Sequence, residues 1–111
     1  MKLTITDAAA NALEKRLQST TFILALNDGT NQFSTVGGSC AVGDKFQILA
    51  SEGPTDQYNL PVTTERFQVF TSTSEADFIN EDLTLDYNDR LSTFSLKTSS
   101  GILDNNLLIR P

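Results

Sequence analysis

The stretch Thr4-Ile5-Thr6-Asp7-Ala8-Ala9-Ala10-Asn11-Ala12-Leu13-Glu14-Lys15-Arg16-Leu17 decides how the rest of the chain is read. A short β-branched run enters Thr6, whose hydroxyl can accept one of the free N–H groups at the start of a helix. Asp7 follows where the positive end of the helix dipole favours a carboxylate. The pattern predicts a helix over about residues 7 to 18. Leu13 and Leu17 lie one turn apart, and Ala9 and Ala10 extend their stripe backward, whereas Asn11, Glu14, Lys15 and Gln18 lie off it. A helix with one narrow apolar stripe packs one face against a sheet.

That sheet begins with Thr21-Phe22-Ile23-Leu24-Ala25-Leu26, which is too apolar and β-branched to be anything but a central strand. Asn27-Asp28-Gly29 breaks it, and the aperiodic stretch to Gly38 reads as a loop with Phe33 and Val36 as its apolar anchors. Residues 44–51 alternate, with Phe46, Ile48 and Ala50 on one face, as in a half-buried strand. The polar stretch to Thr64, with Pro54 and Pro61, is the best candidate for a mobile connection. Strand character resumes over 66–71, and residues 74–79 fit one helical turn capped by Ser74. Two alternating runs follow, over 83–87 and 91–97, joined by Asn88-Asp89-Arg90 as a hairpin turn. The segment 98–111, which contains Leu107-Leu108-Ile109, either docks on the core or frays. One helix followed mostly by strands predicts an α+β fold, an N-terminal helix packed on a mainly antiparallel β body.

Length and charge narrow the function. At 111 residues the chain fits one domain, 1–111, with one modest core. Eight Lys and Arg stand against 14 Asp and Glu, a net charge of -6. Such a field repels phosphates and argues against nonspecific binding to nucleic acid or an anionic membrane. The longest apolar run covers only residues 22–26, whereas a spanning helix needs about 20 residues. No signal-peptide pattern opens the sequence, so a cytoplasmic location is expected.

The chain contains no His and one Cys. A Ser-His-Asp triad, a Cys-His pair and a closed Cys/His zinc site within one chain are thereby excluded. Chemistry would have to use carboxylates, hydroxyls, the one thiol or a partner, and the chain is read as not an enzyme. Cys40 sits among Gly37, Gly38 and Gly43, where the backbone is free to wrap closely. An exposed thiol on a loop competes there with a small buried cysteine beside a turn. With no Lys or Arg between Arg16 and Lys45 in sequence, nothing nearby marks Cys40 as an activated nucleophile. Glu75, Asp77, Glu81, Asp82, Asp86 and Asp89 form an acidic stretch, but without calcium-loop spacing it reads as a solvated face. Phe67, Phe70 and Tyr87 read as core residues, since base-stacking platforms accompany basic grooves.

The opening Leu3-Thr4-Ile5-Thr6-Asp7-Ala8-Ala9, the strand over 22–26, the Gly-Gly-Ser-Cys segment before residues 44–51, and the run from Phe78-Ile79 to Leu85-Asp86-Tyr87 together resemble the HesB/IscA-like family of A-type iron–sulfur cluster biogenesis proteins. The resemblance covers roughly residues 1 to 100. It implies a HesB-like domain and, in the family, three cysteines that bind iron or a cluster: one in a G-C-x-G loop and two in a C-terminal C-G-C. Thiolates suit iron because they are soft, strongly donating ligands. By position Cys40 matches the first, although Ser39 replaces the preceding glycine and Gly43 falls one residue late. The other two are missing, and where they would lie the sequence has Gly101-Ile102-Leu103-Asp104-Asn105-Asn106, with Asp104 its one charged candidate.

The resemblance therefore implies a ligand-depleted member. No cofactor is expected in the monomer. Iron or an iron–sulfur cluster would need ligands from a second chain, as in a homodimer that brings two copies of Cys40 together, or from an exogenous thiol. The expected role is in cluster biogenesis through protein contacts, with iron–sulfur assembly components as partners. The alternative is a HesB-fold small-ligand or protein-binding module that has lost iron–sulfur chemistry, with the loop over residues 33–42 as one wall of its site.

Overall fold

Strand β1 (Leu3–Ile5) leads through Thr6 into helix α1 (Asp7–Leu17). Thr6 is the N-cap: its Oγ1 accepts the Ala9 N–H at 3.2 Å, and Gln18 closes the other end in the left-handed conformation, its N–H donating to the Glu14 carbonyl. The predicted stripe is the face that packs, for Ala9, Ala10, Leu13 and Leu17 are all buried. A computed structural model of the chain describes residues 2–26, 46–79 and 81–111.

The remaining elements are β2 (Thr21–Leu26), β3 (Phe46–Ala50), β4 (Leu60–Val62), β5 (Gln68–Thr71), α2 (Thr73–Ile79), β6 (Leu83–Asn88), β7 (Thr93–Thr98), β8 (Gly101–Asp104) and β9 (Leu108–Arg110). They build a four-stranded sheet in the order β1-β6-β7-β8 and a five-stranded sheet in the order β4-β5-β2-β3-β9. The apolar run at 21–26 takes the central position, antiparallel to β3 and parallel to β5. Four of the pairings are antiparallel and three are parallel. The fold is α+β, with the N-terminal helix packed against mixed, mainly antiparallel sheets.

One core joins the three layers. Leu13 and Leu17 of α1 meet Leu83, Leu85, Phe94 and Leu96 of the four-stranded sheet and Phe22, Leu24, Phe46 and Ile48 of the five-stranded one. Phe22 and Phe67 contact edge to face with centroids 5.6 Å apart, and Tyr87 lies against Phe94 at 4.7 Å. Phe22, Phe67 and Phe94 are buried in the core, and Tyr87 packs against it partly buried. A smaller cluster of Ile23, Ala25 and Tyr58, with Leu49 and Phe70 beside it, covers the other face of the five-stranded sheet.

Several local expectations are corrected. The stretch read as a mobile connection contains β4, an edge strand that tolerates Pro61 because a sheet edge needs no donor there. The same stretch holds Tyr58, buried to 2% exposure. Helix α2 is capped by Ser72 rather than Ser74: the Ser72 hydroxyl accepts the Glu75 N–H at 3.2 Å and donates to Glu75 Oε1 at 2.7 Å. This is the Ser-x-x-Glu spacing of a capping box. Strand β7 begins at Thr93, which leaves Leu91 in the turn and exposed. Strand β3 is covered on both sides, so Gln47 is fully buried and accepts a hydrogen bond from Arg110 at 3.2 Å.

Candidate functional site

Cys40 lies outside the described residues, as does the whole of 27–45, including the stretch over 33–42 read as one wall of a site. The other sequence-predicted position, Asp104, closes β8, and its surroundings follow from an irregularity in the β7–β8 ladder. Lys97 pairs with Ile102, but Leu96 pairs with Asp104, so Leu103 is an extra residue on the β8 side. A bulge of this kind breaks the two-residue alternation of side chains. Ile102 consequently shares the outer face with Lys97 and is 62% exposed, while Asp104, only two residues on, turns inward and is 3% exposed.

The buried carboxylate is matched with backbone donors. Asp104 Oδ2 accepts the N–H of Phe46 at 3.1 Å, and Oδ1 accepts the N–H of Asn106 at 2.9 Å, an Asx turn that reverses the chain into β9. Strand β9 then pairs in parallel with β3, Ile109 opposite Ile48, and Leu107 is buried in the main core. Asp104 thus ties the end of the four-stranded sheet to the first residue of β3. A buried carboxylate holding backbone N–H groups is a structural staple, and those donors occupy lone pairs a metal would otherwise take.

The acidic stretch does not converge. Asp82 accepts the Lys2 backbone N–H at 3.0 Å, and Glu81 accepts the hydroxyls of Ser99 and Ser100. Asp86 accepts the Tyr87 N–H at 2.8 Å and the Thr6 hydroxyl at 3.1 Å, and pairs with Lys97 at 3.3 Å. The Tyr87 N–H chiefly, with Lys97 and Thr6 adding to it and burial opposing, holds the Asp86 carboxyl below its ordinary pKa. Glu75 departs from the solvated-face reading: it is 3% exposed, and its Oε2 has no hydrogen-bond partner. Among the described residues no three His, Cys, Asp or Glu side chains are grouped to hold a metal ion.

The donor set therefore does not fit an iron–sulfur cluster within one chain. The sequence supplies one thiol and no imidazole, and the carboxylate nearest the missing cysteine pair is committed to the backbone. The burial of Asp104 was not legible beforehand. The Asp-Asn-Asn run signals an Asx turn, but nothing in the sequence marks the bulge that turns the carboxylate inward.

Fold and site define a small α+β domain, one helix over two mixed sheets, with a depleted set of metal donors. The chain belongs to the iron-sulphur cluster biosynthesis family, whose profile matches residues 1–110. It is 26% identical over 112 residues to the uncharacterized protein YqkB of Bacillus subtilis (strain 168), an alignment covering 98% of this chain and 97% of that protein. Two crystal structures of candidate Fe-S biosynthesis proteins share the fold. The one from Lactobacillus acidophilus superposes with a TM-score of 0.79 at 22% identity, covering 99% of this chain and 89% of the other. The one from Lactobacillus salivarius gives 0.69 at 21% identity, covering 99% and 97%. Among the described residues no helix is long and apolar enough to cross a membrane.

Proposed function

We propose that this chain serves iron–sulfur cluster biosynthesis through contacts with other proteins of that process, without holding a cluster in the monomer and without being an enzyme. Family membership supports the process. The observation that carries the absence of cluster ligation is Asp104, spent on the N–H groups of Phe46 and Asn106. Cys40 remains the one thiolate the chain can offer, and a complete ligand set around it requires a second chain or an exogenous thiol. Assembly components of the process are the natural partners, and the absence of a membrane-crossing helix among the described residues is compatible with a cytoplasmic setting.

The test is anaerobic reconstitution with ferrous iron and sulfide, followed by visible absorption and size-exclusion chromatography, with Cys40→Ser beside the wild type. The expected result is equal and negligible iron on both monomers. Cluster absorption that elutes with a dimer and disappears in Cys40→Ser would overturn the reading in favour of a carrier with bridging ligation.

A further inference from the structure

The two sheets end in the strands β1, β8, β4 and β9, and among the described residues three of these edges are guarded. The outer side of β1 meets Thr63, whose carbonyl accepts the Leu3 N–H at 2.9 Å. Strand β4 carries Pro61, which has no N–H to offer a neighbour. Strand β9 is three residues long and packs beside α1. The remaining edge is β8, and no described strand pairs with its far side.

The ladder sets what that side presents. Thr98 and Gly101 pair across the two-residue turn Ser99-Ser100, and Lys97 pairs next with Ile102. The Gly101 carbonyl lies toward β7, where the Thr98 hydroxyl donates to it at 3.4 Å. Residues that flank such a turn exchange the ladder hydrogen bonds, and the next pair does not, because bonded and non-bonded pairs alternate in an antiparallel ladder. The Ile102 N–H and carbonyl therefore point away from β7, out of the open edge. Its side chain stands on the outer face and is 62% exposed.

The bulge takes away the charge that would guard this edge. With unbroken alternation Asp104 would share the outer face with Ile102, and a charged side chain there discourages strand addition. The extra residue, Leu103, turns the carboxylate inward instead. Nearby charges are already engaged: Lys97 pairs with Asp86 at 3.3 Å, and Glu81 accepts the hydroxyls of Ser99 and Ser100. What remains is a short, uncharged edge with an exposed isoleucine at its centre.

We propose that this edge pairs with its own counterpart in a second copy of the chain, antiparallel about Ile102. A strand edge laid antiparallel on itself is self-complementary. The two copies of Ile102 exchange both N–H···O bonds and bring their side chains together on one face. Gly101 falls opposite Leu103, so the half-buried leucine faces a residue without a side chain. With a net charge of -6 on each copy, association is easiest where no bare carboxylate meets another, and β8 is such a place. The pairing uses up the one open edge and closes at two copies. Four residues a side bury far less than a standard interface, so the dimer is weak and parts on dilution. This inference goes beyond the biosynthetic reading above and requires neither iron nor Cys40.

The test is sedimentation equilibrium of the full chain under reducing conditions, from about 10 μM to about 1 mM, with ¹⁵N spectra over the same series. A reversible monomer–dimer equilibrium is expected, with concentration-dependent shifts centred on the amides of residues 101–103. Ile102→Lys sets a cation on each side of the axis and should raise the dissociation constant at least about tenfold, with the melting temperature at the dilute end unchanged. Leu91→Lys, which charges a comparably exposed leucine in the β6–β7 turn, and Cys40→Ser should both dimerise as the wild type does. A wild type that stays monomeric, shifts centred elsewhere, a dimer that survives Ile102→Lys, or one lost in Leu91→Lys or Cys40→Ser would overturn the proposal.

Discussion

In the four-stranded sheet Leu83, Leu85, Phe94 and Leu96 enter the core while Thr84, Asp86, Ser95 and Lys97 stay partly exposed between them; in the five-stranded sheet Phe22 and Leu24 face that core and Ile23 and Ala25 are buried on the opposite side under Tyr58. The first sheet is covered once and the second twice. The difference is written in the strands as period-two alternation in one case and an unbroken apolar run in the other. What the run cannot reveal is the identity of its second cover. Tyr58 comes from a polar, proline-containing stretch with no strand period of its own.

The largest test of this contrast is truncation on either side of the twice-covered sheet. Phe94→Ala, which empties the shared core and removes the ring beneath Arg16, should cost roughly 3 to 5 kcal/mol in denaturant unfolding. Ile23→Ala should fall near the lower end of about 2 to 5 kcal/mol, because its cluster is small and can collapse. An equal or greater loss at Ile23 would mean that the outer cluster is a second core rather than a cover.

Next is the staple that joins the sheets. Asp104→Ala strips the acceptor from two backbone N–H groups and should cost about 1 to 3 kcal/mol, with amide hydrogen exchange accelerated first at Phe46 and along β9. Loss of protection confined to β8 would show that β9 is held by its own ladder alone. A smaller effect is expected at the helix entrance. Thr6→Ala removes both the α1 cap and the donor to Asp86, for about 1 kcal/mol by thermal unfolding.

The smallest effect lies on the exposed face of the once-covered sheet. Asp86 has its pKa lowered by folding, so its contribution is complete above the ordinary carboxylate range and is lost as pH falls through that range and the folded value beneath it. The side chain is 40% exposed and solvent screens it, so Asp86→Asn should cost less than about 1 kcal/mol at neutral pH. Wild type and variant should converge in acid. A gap that persists there would assign the loss to packing rather than charge.

Much of this architecture was legible because it is local. The Thr6 cap, the stripe from Ala9 to Leu17, the strand at 21–26 and the turn at Asn88 each depend on residues within a few positions, and each stands where the pattern placed it. The Ser72 cap was readable too, since its Ser-x-x-Glu spacing is the stronger signal than Ser74. The burial of Asp104, Gln47 and Tyr58 was not, because each depends on a partner far along the chain: Phe46 for Asp104, Arg110 for Gln47, Ile23 and Ala25 for Tyr58. Cys40, the one thiol the sequence offers a metal, lies outside the described residues, and the structure adds to it only the fate of the carboxylate where its expected companions would be.

The parallel pairing of β3 with β9 sets a timetable for synthesis. Ile48 meets Ile109, so among the described strands the edge of β3 away from β2 waits for β9, which is synthesised long after it. Leu3 likewise waits for Leu83. During that interval an apolar strand offers unpaired N–H and carbonyl groups to any neighbouring chain. The nascent protein is exposed to strand-to-strand aggregation between the synthesis of β3 and that of β9, when a chaperone that shields the edge of β3 would do the most good.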